Sequence, residues 1–94
     1  MTDSFFEDAI FDKTTIQDVI LKDVEFDNCT FLNCDLSNQD FSDAQFTDCE
    51  FTDCNLSLIR LAKTALRNVT FKNCKMLGLR FDDCNAFGLA FTFE

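Results

Sequence analysis

Every fifth residue of this chain, counted from Phe6, is a large apolar side chain, and no common secondary structure has that period. The centres are Phe6, Phe11, Ile16, Leu21, Phe26, Phe31, Leu36, Phe41, Phe46, Phe51, Leu56, Leu61, Leu66, Phe71, Met76, Phe81, Ala86 and Phe91, and Ala86 alone among them is small. An α-helix repeats at about 3.6 residues and a flat strand at about 2. Two residues before each centre stands a small or medium side chain: Ala9, Thr14, Val19, Val24, Cys29, Cys34, Ala44, Cys49, Cys54, Thr64, Val69, Cys74 or Cys84. Gln39 is polar at this place, and Ile59, Leu79 and Leu89 are larger than the pattern. The other three places are mostly Asp, Asn, Ser, Thr, Lys and Arg. Each five therefore turns two side chains inward and three outward, which describes one side of a coil.

Stretches such as Cys34-Asp35-Leu36-Ser37-Asn38 and Ala44-Gln45-Phe46-Thr47-Asp48 resemble the A(D/N)LXX motif of the pentapeptide-repeat family. The resemblance covers residues 6 to 91, and the repeats run from about residue 4 to 93 as one domain without a linker. It implies an all-β fold, a right-handed quadrilateral β-helix of four to five coils with twenty residues per coil. Residues twenty apart then stack in columns. One column reads Phe11, Phe31, Phe51, Phe71, Phe91, and another Ile16, Leu36, Leu56, Met76. Like shapes stack well at the ~4.8 Å spacing between neighbouring strands. A third column, Phe26, Phe46, Leu66, Ala86, shrinks toward the C-terminus and predicts a taper there. The chain stops mid-coil at Phe91-Thr92-Phe93-Glu94 with Phe93 at an outward place, as expected if this end packs on something or if the chain is the N-terminal portion of a longer rod.

The six cysteines all occupy the small inward place, contain no CxxC spacing, and have no histidine beside them anywhere in the chain. Zinc sites need such ligands at close spacing, so the cysteines are expected as core thiols in a reducing compartment, with no metal. Stacked in columns, their Cβ vectors run parallel, a poor geometry for disulfides. Neither a histidine base, a Gly-rich phosphate loop nor an activated nucleophile is present, so no catalytic residues and no cofactor are expected. No apolar run approaches the ~20 residues of a membrane span and the start is acidic, so the expected compartment is the cytosol.

The net charge of −9 disfavours direct nucleic-acid binding, which needs Lys and Arg for the phosphates. That charge is unevenly placed: residues 1–57 carry −12 and residues 58–94 carry +3. Around the Phe6 column the outward residues include Glu7, Asp8, Glu25, Asp27 and Asp48, opposed by Arg67, and these five acids are the candidate partner-binding face. The face centred on Leu21 is nearly balanced. An outward apolar set in the second half, Leu58, Leu77, Phe87 and Phe93, is a second candidate interface.

Thr30-Phe31-Leu32-Asn33-Cys34-Asp35-Leu36-Ser37 and Leu77-Gly78-Leu79-Arg80-Phe81-Asp82-Asp83-Cys84 are similar to coils of the Qnr and MfpA-like group. That resemblance implies a bacterial, non-enzymatic DNA mimic whose partner is DNA gyrase or topoisomerase IV, with fluoroquinolone resistance as a consequence. It also implies an end-to-end homodimer, although Qnr-like proteins are about twice this length and dimerise through a C-terminal element absent here. A structural scaffold or protein-interaction module of the same fold, without a topoisomerase target, is the alternative.

Overall fold

A computed structural model describes residues 5–17, 19–84 and 89–94. The strands are β1 (Phe5–Glu7), β2 (Ile10–Phe11), β3 (Glu25–Asp27), β4 (Thr30–Leu32), β5 (Gln45–Thr47), β6 (Glu50–Thr52), β7 (Ala65–Lys72) and β8 (Ala90–Phe93). All pair in parallel, and up to β7 each residue is opposite the one twenty positions on: Phe6 with Phe26, Phe26 with Phe46, Phe46 with Leu66. The chain is thus an all-β solenoid with four sides. The first side is centred on Phe6, Phe26, Phe46 and Leu66, and the second on Phe11, Phe31, Phe51 and Phe71. The third is centred on Ile16, Leu36, Leu56 and Met76, and the fourth on Leu21, Phe41, Leu61 and Phe81.

Each corner is made by one residue in the left-handed region. From Asp23 to Gly78 this recurs at every fifth residue, always two places after a centre. Asn and Asp fill most of these places, since they tolerate positive φ better than other non-glycine residues. The turn aims the corner N–H along the rod axis, so that Asn28 donates to Thr47 O at 2.8 Å and Asp53 to Lys72 O at 2.9 Å. Each backbone turn is thereby tied to the coil below.

Leu58 and Lys63 are the non-glycine exceptions among these corners. Leu58 holds φ 61° with a bulky side chain, and its Cδ2 lies where a Cβ on Gly78, one coil on, would come within 2.6 Å. Left-handed backbone costs an ordinary L-residue roughly 1–2 kcal/mol, and Asn less. Leu58→Asn is therefore expected to stabilise the fold by about 1 kcal/mol, read as a higher denaturation midpoint at unchanged slope.

Phenylalanines fill the core. Phe26 lies parallel to Phe46 at 4.9 Å and Phe31 parallel to Phe51 at 4.5 Å, while Phe26 and Phe31 meet edge-on at 5.4 Å. Rings of one column stack and rings of adjacent columns interlock, both arrangements that the aromatic quadrupole favours. The inward cysteines clasp successive coils. Cys29, Cys34, Cys49, Cys54 and Cys74 point their Sγ–H at the carbonyls of Phe6, Phe11, Phe26, Phe31 and Phe51. Thr64 performs the same task with a hydroxyl, donating to Phe41 O at 2.7 Å.

Two expectations need correction. Thr14 does not fill its inward place but is exposed. The Asp12 carboxylate accepts the N–H groups of Thr14 and Thr15 at 2.9 Å, and this local turn replaces the regular corner. At the other end the five-residue register slips. Phe71 pairs with Phe93, 22 residues on, and not with Phe91. Lys63 N already donates to Asp83 O, one residue later than the pattern of the other corners, beside the 3-10 turn Phe81–Asp83. The Phe ladder accordingly ends on Phe93, which stacks on Phe71 at 5.6 Å, while Phe91 stacks on Phe81 at 4.7 Å. Phe93 keeps more than half of its surface exposed. Ala86 and Phe87 lie outside the described residues.

Candidate protein-interaction faces

The first side gathers the five candidate acids within three coils. Glu7 ends β1 and Asp27 ends β3, and the two are direct neighbours in register. Glu25 begins β3, opposite Phe5 above and Gln45 below. Asp8 and Asp48 are corner residues of the same edge, at φ 57° and 54°. Farther along this side the outward places become Gln45 and Thr47, then Ala65 and Arg67, so the carboxylates are concentrated in the first two strands.

The corner acids are not stacked on one another. Asn28 separates Asp8 from Asp48 and donates its side-chain amide to Asp8 at 2.7 Å, and Asn68 does the same to Asp48 at 2.7 Å. The next corner repeats the device, with Asn73 donating to Asp53 at 2.6 Å. Each amide removes one carboxylate–carboxylate contact and leaves the charge outward. Counting formal charges alone misses this, because asparagine contributes nothing to the sum. The alternation Asp8, Asn28, Asp48, Asn68 was nonetheless present at twenty-residue spacing.

Elsewhere the charges pair. Lys72 lies 3.4 Å from Glu50 and 3.9 Å from Glu94 on the second side, and Arg80 lies 3.4 Å from Asp82 on the fourth. These exposed pairs contribute about 0–1 kcal/mol each.

Of the candidate apolar set, Leu58 is 56% exposed and Leu77 69%, and both border the third side. Among the described residues, sequence reasoning missed four further exposed apolar residues: Leu89, which the period puts at an inward place, and Phe5, Ile10 and Ile20. Phe5, Ile10 and Ile20 occupy the outward place before a centre, where the next coil carries Glu25, Thr30 and Asp40. That contrast between coils was the signal that could have found them.

The six cysteines are free, all buried except the half-buried Cys74. Burial pushes every thiol up, Cys49 to about 11, Cys54 to about 12 and Cys84 to about 11. Among the described residues no three metal-ligating side chains converge. A hollow of about 500 Å³ at the first-coil irregularity is lined by Lys13, Ile16, Gln17, Val19, Asn33 and Asp35 among others, with Asp35 its sole carboxylate among the described residues. Among the described residues no helix is long and apolar enough to cross a membrane.

Among solved structures, full-length QnrB1, a plasmid-mediated fluoroquinolone resistance protein, is similar at 25% identity and a TM-score of 0.45, over 74% of this chain and 33% of that one. A trypsin-treated variant of QnrB1 is similar at 28% identity and a TM-score of 0.39, over 74% and 32%. The chain spans about a third of the length of these structures. No curated protein sequence matches it. A family model described as a pentapeptide repeat region matches residues 24–92. With a register of twenty, left-handed corners every fifth residue and a family match over most of its length, the chain belongs to the pentapeptide-repeat family.

Proposed function

We propose that this chain acts without catalysis, as a DNA mimic that binds DNA gyrase or topoisomerase IV through the acidic first side. The observation that carries the reading is the cluster of Glu7, Glu25 and Asp27 on neighbouring strands, flanked by Asp8 and Asp48 at the corner. Strand pairing fixes these carboxylates at about 4.8 Å between coils, on a rigid backbone that loses little entropy on binding. A topoisomerase saddle that accepts a duplex presents Lys and Arg at phosphate positions, and an ordered carboxylate array offers it the same sign of charge. The resemblance of residues 30–37 and 77–84 to Qnr-like coils supports the same partner.

The test is a gyrase supercoiling assay with ciprofloxacin, comparing the native chain with the triple variant Glu7→Lys, Glu25→Lys, Asp27→Lys. The native chain is expected to inhibit supercoiling or relieve the drug, and the variant to lose at least about tenfold in potency by reversing three exposed charges. Equal potency of the two would remove the first side from the interface. Inactivity of both would favour a scaffold or protein-interaction module, a reading that rests on the exposed Leu58 and Leu77.

A further inference from the structure

We propose that the third side of the solenoid is a self-association surface, on which two copies pack antiparallel about a two-fold axis through the third coil. This inference is independent of the topoisomerase reading and uses a different side of the rod.

The outward column of this side reads Asp35, Asn55, Lys75, held in register by the bridges Asp35–Asn55 and Asn55–Lys75. The charge order is negative, neutral, positive down the rod. A two-fold axis lying in the plane of the interface and perpendicular to the rod reverses that order in the second copy. Asp35 of each copy then faces Lys75 of the other, and Asn55 meets Asn55. Columns of reversing charge also occur on the second side (Asp12, Leu32, Thr52, Lys72) and the fourth (Lys22, Ser42, Ala62, Asp82), but on the third the same axis also passes through the exposed Leu58.

Shape follows the same symmetry. The second outward column reads Ser37, Ser57, Leu77, and the corner reads Asn38, Leu58, Gly78. The axis sets Leu77, which is 69% exposed, over the small Ser37 of the other copy. Leu58 meets Leu58 at the centre, and Asn38 faces Gly78. Leu58 thereby exchanges water for apolar contact. Leu58 also holds an unfavourable φ of 61° where most other corners carry Asn or Asp. Its side chain costs the monomer stability, and a partner leucine gives that side chain a role.

At the other edge of this side Asp53 approaches its own copy, and each Asp53 already accepts the Asn73 amide at 2.6 Å. The copies therefore close on the Leu58 edge and splay at Asp53. A face this small buries area at the low end of stable interfaces, which makes the dimer weak and concentration-dependent.

Sedimentation of the chain across a wide concentration range tests the arrangement. The native chain is expected to pass from monomer to dimer. Lys75→Asp is expected to weaken the dimer by about tenfold, and the swap Asp35→Lys with Lys75→Asp to recover most of that loss, because charge pairs across an interface couple. Asp35→Lys also removes the bond from the Ser37 hydroxyl to Asp35, so melting of the dilute monomer is followed in parallel. Leu58→Asn gives an opposed pair of effects: a more stable monomer and a weaker dimer. Asp53→Asn is expected to tighten the dimer. A chain that stays monomeric throughout overturns the proposal. So does a dimer that ignores the charge swap and instead dissociates on Phe5→Ser or Ile10→Ser, which would place the contact at the first coil.

Discussion

Phe31→Ala is expected to cost about 3–5 kcal/mol and to lower the melting temperature by on the order of 20 °C. Phe31 is wholly buried, lies between Phe11 at 5.1 Å and Phe51 at 4.5 Å, and meets Phe26 and Phe46 edge-on at 5.4 and 6.0 Å. The solenoid cannot collapse around the missing ring, because the parallel ladder fixes the coil spacing on every side. The cavity term therefore stays near its full value, in the upper part of the range for such truncations. Phe93→Ala is the comparison, since that ring ends the same ladder but is more than half exposed. Denaturant unfolding of both variants should show the first loss exceeding the second by at least about twofold. Equal losses would mean that ring stacking within the rod contributes little.

Raising the pH above about 9 is expected to erode stability steeply, and the sign follows from the thiols. In the unfolded chain cysteine titrates at its ordinary value of 9.0, whereas burial pushes Cys49 to about 11 and Cys54 to about 12 in the fold. Below pH 9 both states hold the proton and the full stability is present. Above it the unfolded chain releases protons that the native core retains, so the equilibrium moves toward unfolding until the buried thiols ionise as well. Each retained proton steepens the decline by about 1.4 kcal/mol per pH unit. Replacing Cys49 and Cys54 with Thr, the residue that already serves at position 64, removes two such protons and should flatten the slope. Urea midpoints measured from neutral pH to pH 11 decide this, and an unchanged slope would show that other groups govern the alkaline transition.

The fold was legible because its period is a repeated demand of one geometry. The large centre and the small residue two places before it fill fixed inward sites, and seventeen large centres in register leave little else to build. The slip at the C-terminal end was not legible. Phe91 and Phe93 are both phenylalanine, either can cap the ladder, and the choice depends on how many residues the 3-10 turn at Phe81–Asp83 takes up. Thr14 fits the small place by size, yet Asp12 competes for its backbone through two hydrogen bonds. The candidate acids share one side of the solenoid because outwardness follows from the period alone. Their relations across coils depend on side-chain amides that formal charge ignores. The self-complementary order of Asp35, Asn55 and Lys75 likewise emerges only after residues twenty apart are read as a column.

The Asp–Asn corners carry a consequence for how such a rod can change length. The backbone repeats after one coil, but the hydrogen bonds of Asp8 with Asn28 and of Asp48 with Asn68 repeat after two. Inserting or deleting a single coil between these pairs would set Asp beside Asp or Asn beside Asn at that corner, while a change of two coils would preserve every partner. Growth of this edge by duplication is therefore neutral in steps of about forty residues and penalised in steps of about twenty where it sets Asp beside Asp, since like charges on adjacent strands destabilise the ladder.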